Sequence, residues 1–290
     1  SLYQSLRNAV RMSLRSARRE SGDLSEVDRA AVDALVARED EILDRLKDLT
    51  RMRLEAVRTR IHGDYHLGQV LYTGRDFVLI DFEGEPAKPL GERRLKRSPL
   101  RDVAGLLRSL QYATASTLQD QLERGLVTEG QPNHASLRSW LDWWLTWTSA
   151  AFLGGWLDTS RGEPYLPGEH AHTGELLDAF LIEKALYELG YEMNNRPQWV
   201  HIPLTGIADV LDAGLVDAYR MVHGDREGFT FWDYRAGAFR RNLGMRIDVV
   251  FVSRHLDVVE CEVARAYRRV SESGAKPSDH APIRAELVRR

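Results

Sequence analysis

Over the first twenty residues, Leu2, Leu6, Val10 and Leu14 recur four apart among five arginines, the pattern of an amphipathic helix with one apolar stripe. Gly22 and Asp23 interrupt it. From Ser25, an N-cap with Asp28 three residues on, Val32, Leu35, Ile42, Leu46, Leu49 and Met52 predict one long helix to about residue 58. Two short apolar runs follow, 69–73 and 76–81, joined by Gly74 and Arg75 as a tight hairpin. A loop containing Pro86, Pro89 and Gly91 then leads into predicted helices over 100–125, 134–157 and 173–195. In the second of these, Trp140, Trp143, Trp144 and Trp147 fall at i, i+3, i+4 and i+7 and are expected to pack in the core. After Pro203 the pattern shortens, and 229–234, 246–253, 258–264 and 283–288 read as strands.

This is an α+β chain in two parts, 1–207 and 208–290: a mainly helical lobe with a short hairpin, then a partial α/β segment. A length of 290 residues accommodates two modest cores. The net charge of -3 argues against a general nucleic-acid or anionic-membrane surface. Cys261 is the single cysteine, which excludes an intramolecular disulfide and a cysteine zinc site and fits the cytoplasm. No apolar run approaches the roughly 20 residues that span a bilayer, so no membrane partner is expected. Residue 1 is Ser, consistent with a start inside a longer protein.

The chemistry concentrates around the hairpin. His62, Gly63, Asp64, Tyr65, His66, Leu67, Gly68 and Gln69 precede it, and Ile80, Asp81, Phe82, Glu83 and Gly84 follow. In kinases a catalytic-loop Asp takes the acceptor hydroxyl's proton, an amide five residues later holds Mg²⁺, and an Asp beyond supplies a second metal carboxylate. Asp64, Gln69 and Asp81 reproduce that order, with Glu83 as a further ligand. His62 is expected to brace the loop. No glycine-rich phosphate loop precedes residue 62, so ATP would be gripped weakly and activity of the chain alone would be low or absent.

Residues 62–69, 80–86, 93–105 and 183–203 resemble maltokinases, a family similar to aminoglycoside phosphotransferases and often joined to trehalose synthase. The resemblance implies a kinase-like fold lacking its N-terminal lobe, with ATP and Mg²⁺ as donor and metal and maltose, or a related sugar, as acceptor. It makes Asp64 the base and assigns Lys184, Tyr187, Glu188 and Arg196 to the sugar pocket. The missing lobe, or a trehalose synthase module, would be its partner. A non-catalytic sugar-binding remnant is the alternative.

Residues 211–220, 228–242, 246–253 and 276–282 resemble exonuclease III instead. That resemblance implies a metal-dependent DNA hydrolase with Asp248, Asp279 and His280 at its centre, Trp232 and Arg235 on a DNA-facing loop, and Arg240, Arg241 and Arg246 meeting phosphates. The family's metal-binding Glu has no counterpart in this chain, so the tail is expected to be inert alone, with exposed sheet edges that favour association. The two resemblances meet near residue 210 with no linker between them.

Overall fold

A computed structural model describes residues 2–52, 54–168, 170–212, 215–224, 226–234, 237–253, 256–268 and 278–289. Arg235 and residues 276–277 lie outside them. The chain divides into two compact units, Ser1–Leu211 and Asp212–Arg290.

The first unit is helical. Helix α1, Leu2–Glu20, buries Leu6, Val10, Leu14 and Ala17, as the four-residue spacing requires. The long helix expected next is broken: α2, Glu26–Ala37, starts at Ser25, whose hydroxyl accepts from the Asp28 amide, and ends at Arg38. There ψ rises to 13°, and α3, Glu39–Lys47, begins with three acidic residues suited to a helix N-terminus. Beyond it, 54–58 is without regular structure.

The expected hairpin is present as β1, Val70–Tyr72, and β2, Phe77–Leu79, in antiparallel register with Tyr72 opposite Phe77. Gly74, at φ 89°, makes its turn. A short α4, Leu90–Arg93, leads to α5, Leu100–Glu123, and then to α6, Pro132–Thr159. Helix α7, His170–Asn195, is the centre of the core: Leu176, Leu177, Phe180, Ile182, Leu186 and Leu189 spread around its circumference, as in a helix enclosed on most sides. Helix α8, His201–Asp212, runs through the point after Pro203 where the sequence pattern shortens, because a proline in the first turn is compatible with a helix.

The tryptophans of α6 overturn the expectation of core packing. Trp140 is 66% and Trp147 61% exposed. Only the C-terminal part of α6, through Phe152, Leu153 and Trp156, packs against the core, so the earlier indoles meet one another instead, Trp140 against Trp143 at 5.6 Å.

In the second unit, β3, Leu215–Asp217, pairs with β4, Phe251–Ser253, and α9, Ala218–His223, follows β3. Strands β5, Leu256–Val263, and β6, Ile283–Arg289, pair antiparallel with a bulge at Val258/Glu260. The expected strand over 229–234 is reduced to isolated bridges from Phe231 to Met245 and His280, and that over 246–253 to its last three residues. Tyr219, Val252 and Cys261 form one small core, and Trp232 with Ala238 and Ala281 another.

Candidate active site

The segment carrying Asp64 is fixed from one face of α5. Asp102, Gly105 and Ser109, spaced as neighbours on a helix, all meet it. The Asp102 carboxylate accepts from the His62 amide at 2.7 Å and the Gly63 amide at 2.9 Å, and Ser109 Oγ accepts from the Leu67 amide at 3.0 Å. A Cβ at Gly105 would stand 2.7 Å from the Tyr65 carbonyl oxygen, so only glycine lets the helix approach this closely. Sequence reading missed Asp102.

Buried His62 ties this segment to the one carrying Asp81. Its Nε2 donates to the Ile80 carbonyl at 2.8 Å, leaving Nδ1 to face the Asp64 amide at 3.4 Å, and its ring packs 4.9 Å from Phe82. Gly63 and Gly84 both adopt positive φ, and a Cβ at Gly63 would reach 3.3 Å from the Gly84 Cα.

Burial raises the Asp102 carboxyl above its ordinary value, against the opposing effect of the two amide bonds. The folded state therefore binds a proton that the unfolded chain has lost, and stability falls as pH rises from the ordinary carboxylate value through the folded one. Asp102→Asn should flatten that slope in pH-dependent urea unfolding. It should also cost about 1–3 kcal/mol, because its amide group faces one of the two N–H donors.

Of the proposed metal ligands, Gln69 Nε2 donates to Asp81 Oδ2 at 2.9 Å, and Asp81 sits at φ 62°, in the left-handed region that Asp tolerates better than most residues. Glu83, two residues beyond Asp81, is exposed. Among the described residues no group of three His, Cys, Asp or Glu side chains is arranged to hold a metal. The Gln69 and Asp81 oxygens are the hard donors that Mg²⁺ takes, and this ion commonly binds through one or two protein groups with phosphate and water completing its shell.

Asp64, its side chain 18% exposed, opens onto a cavity of about 360 Å³. Ser5, Ala9 and Ser13 of α1 form one wall, on the flank of the stripe that faces the core. Lys184 and Tyr187 of α7 form another, with Glu85 between them: Lys184 Nζ lies 3.9 Å from its carboxylate. Burial, followed by the charge of Glu85 and a hydrogen bond to it, pushes the Tyr187 phenol up to about 12. Arg101 pairs with Glu183 at 2.6 Å on the same lining.

The other two residues assigned to the sugar pocket do not line this cavity. Glu188 accepts from Arg108 at 2.8 Å. Arg196 grips buried Glu192 at 2.6 and 2.9 Å and lies over the Trp199 ring. Helix α7 is enclosed on so many sides that one step beyond Tyr187 turns the next side chain toward α5.

In the second unit, His280 Nδ1 lies 2.7 Å from Asp248 Oδ2. Burial alone would raise the Asp248 carboxyl, but bonds from His280 and Thr230 outweigh it and hold the group low. Buried Thr230 positions this segment by accepting from the Ile247 and Asp248 amides. The Asp279 carbonyl accepts from the Trp232 amide. Trp232 itself corrects the expectation of a DNA-facing position: it is 0% exposed, edge-on to Phe229 and Phe239. Arg246 lies over the Tyr219 ring, whereas Arg240 and Arg241 are exposed.

No family model matches the chain. It is 26% identical over 159 residues to a glucosamine kinase of Streptacidiphilus jiangxiensis, covering 54% of this chain and 32% of that protein. It is 30% identical over 154 residues to the glucosamine kinase of Mycolicibacterium smegmatis, covering 53% of this chain and 34% of that one. The chain thus spans about a third of the length of these relatives. It is also 53% identical over 79 residues to an exodeoxyribonuclease of Bacillus subtilis, covering 27% of this chain and 28% of that protein. A solved glucosamine kinase in complex with glucosamine, ADP and inorganic phosphate matches with a TM-score of 0.55 at 19% identity, over 72% of this chain and 44% of that one. Sugar-kinase-like and exonuclease-III-like similarity therefore coexist in one chain, and the likeness to the solved kinase is one of fold.

Proposed function

We propose that the Ser1–Leu211 unit is the acceptor and metal lobe of an ATP-dependent sugar kinase. The observation that carries this reading is the double tether of the Asp64 segment, to α5 through Asp102 and to the Asp81 segment through His62, which holds Asp64 at the mouth of the cavity. Asp64 accepts the proton of a sugar hydroxyl as its oxygen bonds to the γ-phosphorus of ATP and the bond to the ADP oxygen breaks. Gln69 and Asp81, with Glu83 as a further ligand, would hold Mg²⁺, which offsets charge on the phosphate oxygens. Lys184 and Tyr187 orient the sugar. The residue resemblance favours maltose, whereas the relatives are glucosamine kinases.

The deciding measurement is label transfer from ATP with Mg²⁺ to maltose, glucosamine or glucose. Transfer that falls to background in Asp64→Asn supports the assignment; equal transfer by both proteins removes Asp64 from the mechanism. If neither transfers, sugar binding decides: binding weakened by Lys184→Ala retains the cavity as a sugar site, and no binding sinks it.

A second reading, a DNA hydrolase centre in Asp212–Arg290, is favoured by the 2.7 Å His280 to Asp248 contact and by the 53% identity to an exodeoxyribonuclease. In it the carboxylate orients the imidazole at the scissile phosphate.

A further inference from the structure

His66 directly precedes the single helical turn Leu67–Gln69. Its carbonyl accepts from the Gln69 amide at 2.9 Å, and its Nδ1 accepts from the Gly68 amide at 3.1 Å. A ring nitrogen that accepts carries no proton, so the neutral imidazole has its proton on Nε2. Gly68 lets the ring fold back over the turn, because a Cβ there would stand 2.8 Å from Cε1 and 2.9 Å from Nδ1. One backbone amide and one missing Cβ thus fix both the tautomer and the placement of Nε2.

That nitrogen lies 3.8 Å from Asp64 Oδ2. Among the described residues the Asp64 carboxylate accepts no hydrogen bond, so nothing else holds its orientation. A carboxylate free to turn about Cβ–Cγ keeps neither oxygen aimed at an acceptor hydroxyl, and a donor on one oxygen removes that freedom. The His66 side chain is 43% exposed, and a small turn of its ring closes the gap to hydrogen-bond length, as catalytic contacts commonly do when substrate enters. We infer that His66 is a positioning residue for Asp64. Its Nε2–H holds Oδ2, leaving Oδ1 to take the acceptor's proton while the acceptor oxygen bonds to the γ-phosphorus and the bond to the ADP oxygen breaks. The inference rests on the sugar-kinase reading for its chemistry, and its test separates the two.

Two substitutions separate the ring nitrogens. His66→Asn puts an acceptor where Nδ1 stands and nothing where Nε2 stands, whereas His66→Gln puts an N–H donor at the Nε2 position and leaves the Gly68 amide unserved. In label transfer from ATP with Mg²⁺ to glucosamine or maltose, His66→Asn is expected to lower kcat about tenfold or more with little change in the KM for sugar, and His66→Gln to keep most of it. Gly68→Ala, which displaces the ring and alters neither side chain, should resemble His66→Asn. Turnover kept by His66→Asn would reduce His66 to a cap of its turn and overturn the inference, as would equal losses in both variants. Nitrogen NMR of the imidazole in the full chain needs no turnover: the protonated Nε2 signal should move in Asp64→Asn while the Nδ1 signal stays. A proton on Nδ1, or an Nε2 signal that Asp64→Asn leaves in place, also overturns it. If no protein transfers label, wild type included, while Nε2 still responds to Asp64→Asn, the pairing is upheld and what fails is transfer by this chain.

Discussion

Trp232→Ala is expected to unfold the Asp212–Arg290 unit and leave the other unit's transition in place. Trp232 is wholly enclosed by Phe229, Phe239 and the Arg265 guanidinium, with Ala238 and Ala281 the other buried residues of its cluster. Removing a buried indole costs about 3–5 kcal/mol, comparable to the entire stability of a small domain. A scanning calorimetry trace of the full chain should lose one of its transitions while the helical signal at 222 nm is largely kept. An unchanged trace would return Trp232 to the DNA-facing role that the exonuclease III resemblance implies.

Glu188→Ala should be destabilising rather than merely weakening for sugar. Its carboxylate meets Arg108, which is 2% exposed and lies against α8 so closely that a Cβ at Gly206 would overlap its guanidinium. Arg108 also donates to Gln111 Oε1. Taking the carboxylate away leaves a buried cation without its counter-charge, worth about 3–5 kcal/mol in urea unfolding. Pairing it with Arg108→Met should recover part of that loss, because the second change removes the buried charge that the first leaves uncompensated. A stable Glu188→Ala protein with weakened sugar binding would instead restore Glu188 to the acceptor pocket.

The legible parts of the fold were those with local causes. The α1 stripe, the Ser25 cap and the Gly74 turn each depend on residues within a few positions, and each appears where the pattern placed it. The proposed site was legible as an order of side chains, Asp64, Gln69, Asp81, because that order lies within one short stretch. What holds it was not: Asp102 acts on amides some forty positions upstream, and α1 reaches the cavity from the far end of the unit. The tryptophans misled because helical spacing reports that four indoles share a face, not that anything covers it. Trp232 misled in the opposite sense: a motif resemblance carries a neighbourhood, whereas burial depends on Phe239 and Ala281, which only the folded unit brings together.

The uncovered face of α6 also sets what light reports about this molecule. Four of its seven tryptophans, Trp140, Trp143, Trp144 and Trp147, are solvent-exposed along one helix. Indole emission should therefore peak toward the red in the native state and be readily quenched by acrylamide. Unfolding will move it little, so a fluorescence melt will follow chiefly this helix and remain nearly blind to the core that α7 organises.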